Sequence, residues 1–371
     1  MKFKKVMIIA LIIIAALFVS VLVFMNQAKF GKLPNKEMQE SFQKSPNFKD
    51  GQFQNIHHTP VNTHEGSFFK VLYDYIFTKK VRLSPVDEIP ATKTDLKTLK
   101  PDENVLVWFG HSSYFIQIDG KRILVDPVLS GLVSPISLFG KAYKGTDVYT
   151  ADDIPEIDYL FITHDHWDHV DYETLIKLRS KIKKIICGLG VGAHFEYWGF
   201  DSNIIIEKDW DETETLEDGI LIHTTTARHF SGRGLTRNKS LWLSYVLETP
   251  IAKIFIGGDS GFDTHFKEIG EKFGPFDIAI LENGQYDKKW NATHMFPNQV
   301  LQAANDLEAK RLFPVHSGKF TLAEHPWDEP LSELLQLNTE YGLNIMTPII
   351  GEKVMLMDST KAFTNWWENI N

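Results

Sequence analysis

Six consecutive residues, His164-Asp165-His166-Trp167-Asp168-His169, constrain this chain more than any other stretch. Three imidazoles and the Asp168 carboxylate cannot all enter a core without a partner, because every buried polar atom has to be satisfied. A divalent metal satisfies them together. With 14 His in 371 residues, the pattern H-x-H-x-D-H is expected by chance roughly 0.001 times in the chain. The bland alternative, a solvated loop that happens to carry histidines, needs that coincidence. The motif points to a metal-dependent enzyme.

The surroundings of the motif predict how it is held. From Asn104 onward, short apolar runs alternate with turn residues. Val105–Phe109, Tyr114–Ile118 and Arg122–Val125 read as strands, with Asp119-Gly120 as a tight hairpin turn. Tyr159–Thr163 is a further buried strand, followed by a helix from Tyr172 to about Arg179. The strand series continues through Ile185–Cys187, Ile204–Ile206, Ile220–Thr226, Leu241–Leu247, Lys253–Ile256, Ile278–Leu281 and Arg311–Val315, with an amphipathic helix over Pro297–Ala309. Hairpins mixed with βα alternation predict an α/β (α+β) chain with two sheets and helices outside them.

Strand ends carry the chemistry. His164 follows Tyr159–Thr163, His229 follows a run ending at Ala227, Asp259 follows Ile254–Gly258, and His316 follows Leu312–Val315. The rim of a sheet is a rigid place to hold ligands. Together His164, His166, Asp168, His169, His229, Asp259 and His316 exceed the four donors that one tetrahedral zinc takes, so two ions are expected. Nitrogen-rich donors suit zinc, with iron or manganese as the alternatives. A carboxylate such as Asp259 can bridge two ions at roughly 3.5–4 Å.

The N-terminus carries a different signal. Val6 to Met25 is apolar except for Ser20. Twenty helical residues span roughly 30 Å, the thickness of a bilayer core. Lys2, Lys4 and Lys5 favour a cytoplasmic N-terminus, which places the rest of the chain outside; Lys29 and Lys32 weaken that asymmetry. A cleaved secretory signal is the competing reading. It usually has a shorter apolar core and a small-x-small exit, whereas this run leaves through Asn26-Gln27-Ala28 without a lipobox cysteine. An uncleaved anchor is favoured.

From Phe30 to about Lys100 the chain is polar, irregular and punctuated by proline. One stretch, Phe68–Phe77, is apolar at helical spacing and reads as a short helix; His57, His58 and His64 read as surface residues. The formal charge of -9 argues against nucleic-acid binding. The lone cysteine, Cys187, sits in an apolar run and reads as a buried thiol, which fixes no compartment.

Several segments give these residues a family look: Val107-Trp108-Phe109-Gly110-His111-Ser112-Ser113, Val125-Asp126-Pro127, Gly257-Gly258-Asp259-Ser260-Gly261, Pro314-Val315-His316-Ser317-Gly318-Lys319-Phe320, His294-Met295 and Leu322–Pro330. With the His164–His169 cluster they resemble the metallo-β-lactamase superfamily, and within it the N-acyl phosphatidylethanolamine phospholipase D-like group. The resemblance covers about residues 100–350. It implies an αββα sandwich, preceded here by a single transmembrane helix. It implies one metal on His164, His166 and His229 and a second on Asp168, His169 and His316, with Asp259 shared. Ser317 and Lys319 depart from the Trp and Thr more usual in the group, a difference expected to bear on the substrate pocket. The expected organisation is a cytoplasmic stub and anchor over 1–28, an approach segment over 29–100 and a catalytic domain over 101–371.

The superfamily also holds lactonases, β-lactamases, RNA-processing nucleases and flavin-linked diiron proteins, so membership leaves the substrate open. The expected chemistry is attack by a metal-bound hydroxide on a phosphodiester, in phospholipase D fashion, on an (N-acyl) phosphatidylethanolamine-like lipid. Asp168 or a metal-bound water is the candidate proton donor to the leaving alkoxide, and His294 a candidate for phosphate contact or proton transfer. The anchor supports a membrane phospholipid partner, since tethering raises local substrate concentration. A lactonase or other ester or amide hydrolase uses the same metal centre, and a non-catalytic envelope binding protein is the reading from another class. Trp290, Trp327, Trp366 and Trp367 are candidates for an interface, with core packing the commoner fate. His111-Ser112-Ser113 lacks the G-x-S-x-G elbow of serine hydrolases, and His111 is read as lining the pocket without ligating. The oligomeric state is not legible.

Overall fold

A computed structural model describes residues 2–61 and 80–371; the expected helix at Phe68–Phe77 and His64 lie outside the described residues. The chain opens with helix α1 (Lys2–Met25). Its segment Phe3–Met25 has a mean hydropathy of 3.3 and buries none of its length in the protein. A short helix α2 (Lys36–Ser41), capped by the Asn35 side chain on the Met38 N–H, and a hairpin of β1 (Phe48–Lys49) and β2 (Gln52–Phe53) follow. These give the approach segment more local order than its irregular sequence predicts.

The remaining elements form two seven-stranded sheets. In chain order they are β3 (Val105–Trp108), β4 (Tyr114–Ile118), β5 (Lys121–Val125), β6 (Ile157–Ile162), α3 (Tyr172–Leu178), β7 (Ile182–Gly188), α4 (Gly192–Tyr197) and β8 (Ile205–Lys208). Then come β9 (Thr213–Thr215), β10 (Leu221–Thr225), β11 (Ser244–Glu248), β12 (Lys253–Ile256), α5 (His265–Phe273), β13 (Ile278–Glu282), α6 (Pro297–Asp306), β14 (Arg311–Val315), α7 (Glu329–Tyr341), β15 (Asn344–Ile345) and β16 (Lys353–Met355). One sheet runs β16-β3-β4-β5-β6-β7-β8 and the other β15-β14-β13-β12-β11-β10-β9. Each is half antiparallel meander and half parallel: β5 through β8 are parallel, as are β12 through β15.

Side-chain alternation makes this a four-layer αββα sandwich. In β6, Tyr159 and Phe161 face the opposing sheet, while Leu160 and Ile162 face the outer helices. In the other sheet, Ile254, Ile256, Ile278, Ile280, Phe313 and Val315 face inward and Phe255, Ala279, Leu281 and Leu312 outward. A strand buried on both faces therefore reads as a continuous apolar run. The β4–β5 turn is built as its sequence predicts, with Asp119 and Gly120 both at positive φ (49° and 73°).

Two expected elements differ. Leu241–Leu247 is not one strand: β11 begins at Ser244, and the Leu241 and Leu243 N–H groups donate to Leu189 and Thr163. Leu241–Leu243 thus crosses from the first sheet toward the second, buried but outside any ladder. The helix expected to Ala309 stops at Asp306, where the Leu307 N–H closes on Ala303 and Glu308 takes a left-handed φ of 54°. Cys187 is buried, as expected.

Candidate metal centre

The site lies beyond the C-terminal ends of strands from both sheets. β6 delivers the loop His164–His169, β10 leads to His229, β12 to Asp259 and β14 to His316. All of these side chains except the half-buried His166 are buried. Nε2 of His164 is 2.9 Å from Nδ1 of His166, which is 3.2 Å from Nε2 of His229. One Asp259 oxygen lies 3.2 Å from His169 Nε2, 3.7 Å from His164 Nε2 and 3.8 Å from His229 Nε2. Its other oxygen is 3.2 Å from His316 Nδ1. Asp168 is 3.6 Å from His169 Nε2 and 4.0 Å from His316 Nε2. The structure brings all seven expected residues together.

Within this cluster, donor atoms of His164, His166 and His229 lie within 4.8 Å of one another, as do those of Asp168, His169 and His316 together with His111. Such crowding of nitrogen against nitrogen is unfavourable unless an electrophile lies between them. His169 Nε2 and Asp259 Oδ1 are buried without a hydrogen-bond partner. Burial first, and then neighbouring imidazoles, hold His164 well below its ordinary pKa; burial, only partly offset by Asp259, does the same for His229 and His316. Neutral imidazole is the form that ligates a metal. These donors fit divalent cations.

Neighbouring side chains aim the donors. Asp126, just past β5, accepts from the Thr163 N–H (2.9 Å), the Thr163 hydroxyl (2.7 Å) and His169 Nδ1 (2.7 Å). Carboxylate on the far nitrogen fixes the tautomer that leaves Nε2 for a metal. His229 Nδ1 donates to the Thr293 carbonyl at 3.0 Å, with the same result. His316 Nδ1 is 2.8 Å from the Ser112 hydroxyl, and His111 Nε2 is 2.9 Å from Asp168. His111, Asp126 and His316 all have positive φ (54°, 41° and 68°). Non-glycine residues hold such conformations at a cost of about 1–3 kcal/mol, a strain that concentrates at functional sites.

A cavity of about 720 Å³ opens onto His166, Asp168, Asp259 and His316. Lys80, Lys289, Arg237 and Glu324 give its wall charge; Leu83, Phe230, Trp290 and Leu322 give it apolar surface. His294 lines it too, stacked on His316 (5.3 Å, 12°) with Nδ1 3.3 Å from buried Glu282. Burial lifts the Glu282 carboxyl to about 7; burial lowers His294, but Glu282 together with Asp259 and Asp168 holds it above its usual value.

The sequence reading passed over Glu282 and gave Asp126 no role, although both follow apolar strands and obey the rule that singled out His229 and His316. Ser317 and Lys319 do not reach the cavity among its described lining. Lys319 is buried with Nζ 3.1 Å from Asp147 and donating to the Phe109 and Val128 carbonyls, so the expected effect on the pocket is absent there. Trp327, Trp366 and Trp367 are core residues, and only Trp290 faces the cavity. His57 and His58 are exposed, as expected; His57 pairs with Asp263 at 2.9 Å.

A family model described as the beta-lactamase superfamily domain matches residues 121–317, the span that holds every converging donor except His111. The chain belongs to this family. It is a metallo-hydrolase of the β-lactamase superfamily. An uncharacterized protein of Mycobacterium tuberculosis is 33% identical over 316 residues, covering 84% of this chain and 85% of that protein. The N-acyl-phosphatidylethanolamine-hydrolyzing phospholipase D 1 of Caenorhabditis elegans is 26% identical over 293 residues, covering 71% of this chain and 81% of that one. Among solved structures, Igni18, a metallo hydrolase from Ignicoccus hospitalis, shares the superfamily fold with a TM-score of 0.53 at 23% identity, covering 68% of this chain and 97% of that one.

Proposed function

We propose that this superfamily member is a membrane-anchored dinuclear zinc phosphodiesterase of phospholipase D type, acting on (N-acyl) phosphatidylethanolamine-like lipids. The observation that carries the reading is the cavity over the donors, whose lining combines Arg237 and the Glu324-paired Lys80 and Lys289 with apolar Leu83, Phe230, Trp290 and Leu322. A phospholipid diester presents the same pairing of an anionic centre and apolar bulk. The similarity to the nematode phospholipase D supports it. The exposed apolar α1 supports an anchor, with the N-terminus cytoplasmic and the catalytic domain, residues 101–371, outside.

In this reading His164, His166 and His229 would hold one ion and Asp168, His169 and His316 the other, with Asp259, whose oxygens approach His164, His169, His229 and His316, shared by both sets. Ions bound there supply Lewis acidity and bring the pKa of a water from about 15.7 toward 7. The chain's own groups do the rest. Arg237, Lys289 and His294 face the diester and offset its charge. Trp290, Phe230 and Leu322 flank the bound lipid and keep bulk water away. The water oxygen ends on phosphorus, the bond to the head-group alcohol breaks, and phosphatidate remains. The proton that the water gives up passes to the ionised Asp168 carboxylate, beside His111, and from there to the departing alkoxide; His294, held protonated by Glu282, is the alternative donor and recovers its proton from the same water.

The test incubates the purified full chain with vesicles containing N-acyl phosphatidylethanolamine or phosphatidylethanolamine, with zinc content measured on the same sample. Release of head-group alcohol that chelator abolishes and zinc restores is the expected result. Turnover of a lactone panel with neither lipid touched assigns the centre to ester hydrolysis and overturns the proposal.

A further inference from the structure

Two loops beside the end of α1 expose apolar tips. In the first, Ile136, Leu138 and Phe139 are 46%, 73% and 59% exposed; in the second, Leu235 is 91% exposed. Scattered apolar residues are ordinary on a protein surface, so their position decides the matter. The first loop is pinned at its base by the Leu132–Lys141 bridge and by the Val133 N–H on the Gly140 carbonyl. Lys29, four residues past α1, donates to the Pro135 carbonyl at 2.6 Å. The second loop rests on α1 itself, since a Cβ on Gly234 would lie 3.2 Å from Met25 Cε.

The exit from α1 is stiff. The Ala28 carbonyl accepts from Trp198 Nε1 (2.8 Å), the Lys29 carbonyl from Arg233 (2.9 Å), and the Lys32 N–H donates to His194 Nδ1 (3.0 Å). Phe30 packs edge-on against Trp167 at 5.1 Å and Phe24 at 5.3 Å. A domain so tied cannot swivel freely on its anchor, so both tips stay where α1 leaves the bilayer. Lys29, Lys32 and Lys141 add positive charge there, although the whole chain is acidic. Basic side chains beside a membrane-spanning helix favour anionic head groups.

We propose that these loop tips are a second membrane contact: Ile136, Leu138, Phe139 and Leu235 enter the bilayer interface and hold the catalytic cavity at the lipid surface. The proposal rests on reading α1 as an anchor. The same loop that carries Leu235 ends in Arg237, which lines the cavity. Seating Leu235 in lipid therefore sets the cavity mouth beside it, and the occupant of this face is the membrane that α1 crosses.

The test uses the full chain reconstituted into vesicles of phosphatidylethanolamine and phosphatidylglycerol. Its single cysteine is buried, so Leu138→Cys, Leu235→Cys and Met357→Cys each take an environment-sensitive dye at one place. Met357 is exposed beyond β16, at the sheet edge opposite β8. The expected result is blue-shifted emission at 138 and 235, quenched several-fold more strongly by lipid-borne nitroxide than at 357. Vesicle flotation with 138 and 235 as open to aqueous iodide as 357 overturns the docking face and leaves the anchor standing. Failure to float overturns both readings. Shielding at 138 and 235 without lipid quenching assigns the face to a second copy of the chain and overturns the lipid contact.

Discussion

Asp126 lies just behind the donor cluster, yet three hydrogen bonds make it the residue on which His169 depends. Its replacement by Asn keeps the shape and removes the charge that holds Nδ1 protonated. Asp126→Asn should weaken metal binding or activity about 10–100-fold, read by zinc titration of chelator-stripped protein; unchanged affinity would show that Thr163 alone orients the ring. Glu207 gives a second test at this scale. It is half-buried beside α4, and desolvation lifts its carboxyl from 4.5 to about 7 against the opposing donation of the Gly192 and Gly190 N–H groups. The native state then keeps a proton that the unfolded chain loses first. The stability this gives is complete below pH 4.5 and lost as pH rises through 7, in total about 3 kcal/mol. Glu207→Gln should flatten melting temperature against pH and exceed the parent chain in stability on the alkaline side; parallel curves would remove Glu207 as the cause. The donors themselves were legible from the H-x-H-x-D-H motif and because His164, His229, Asp259 and His316 sit at or just past the ends of apolar runs. Glu282 and Asp126 obey the same rule, but a lone carboxylate ending a strand is common, and only their contacts with His294 and His169 distinguish them.

Among the elements, positions where the backbone needs a left-handed turn separate into two kinds. Gly120 closes the β4–β5 hairpin at φ 73° with open space around it, the nearest atom to an added Cβ being the Pro101 oxygen at 3.8 Å. Gly351, at φ 82°, would place a Cβ against the Thr92 carbonyl. Gly120→Ala should cost about 1–2 kcal/mol from backbone strain alone, and Gly351→Ala clearly more; urea unfolding of the pair checks this, and equal costs would mean that the Thr92 segment yields freely. The hairpin was readable from Asp119-Gly120 because its chemistry is local. The short β9 and β16 were not, since three-residue strands carry no period and β16 is fixed by pairing with β3 from far along the chain. The over-long strand at Leu241 has the opposite cause: burial between sheets makes a crossing segment as apolar as a ladder.

For the molecule as a whole, the exit from α1 and the donor loop share one set of contacts. Arg233 donates to the carbonyls of Asp165 (3.0 Å) and Val170 (2.7 Å) as well as Lys29, and stacks on Trp167 at 4.1 Å. Deleting residues 2–26 leaves these bonds intact. Deleting 2–33 removes three part-buried backbone partners, each worth about 1 kcal/mol. The longer deletion should lower the melting temperature by several degrees and reduce zinc content, whereas the shorter should not; identical melting and zinc content would show that the exit segment merely rests on the domain. Nothing in the residues of that segment announced this role, because its contributions are backbone atoms, which look alike in every sequence.

The donors are divided between two sheets, with the loop after β6 on one side and His229, Asp259 and His316 on the other. On the proposed assignment, each ion draws donors from both halves. Ion capture would then be a late step in maturation, completed only when the halves of the sandwich meet. On that proposal, the cation finally loaded would be set by whatever supply exists where that closure takes place.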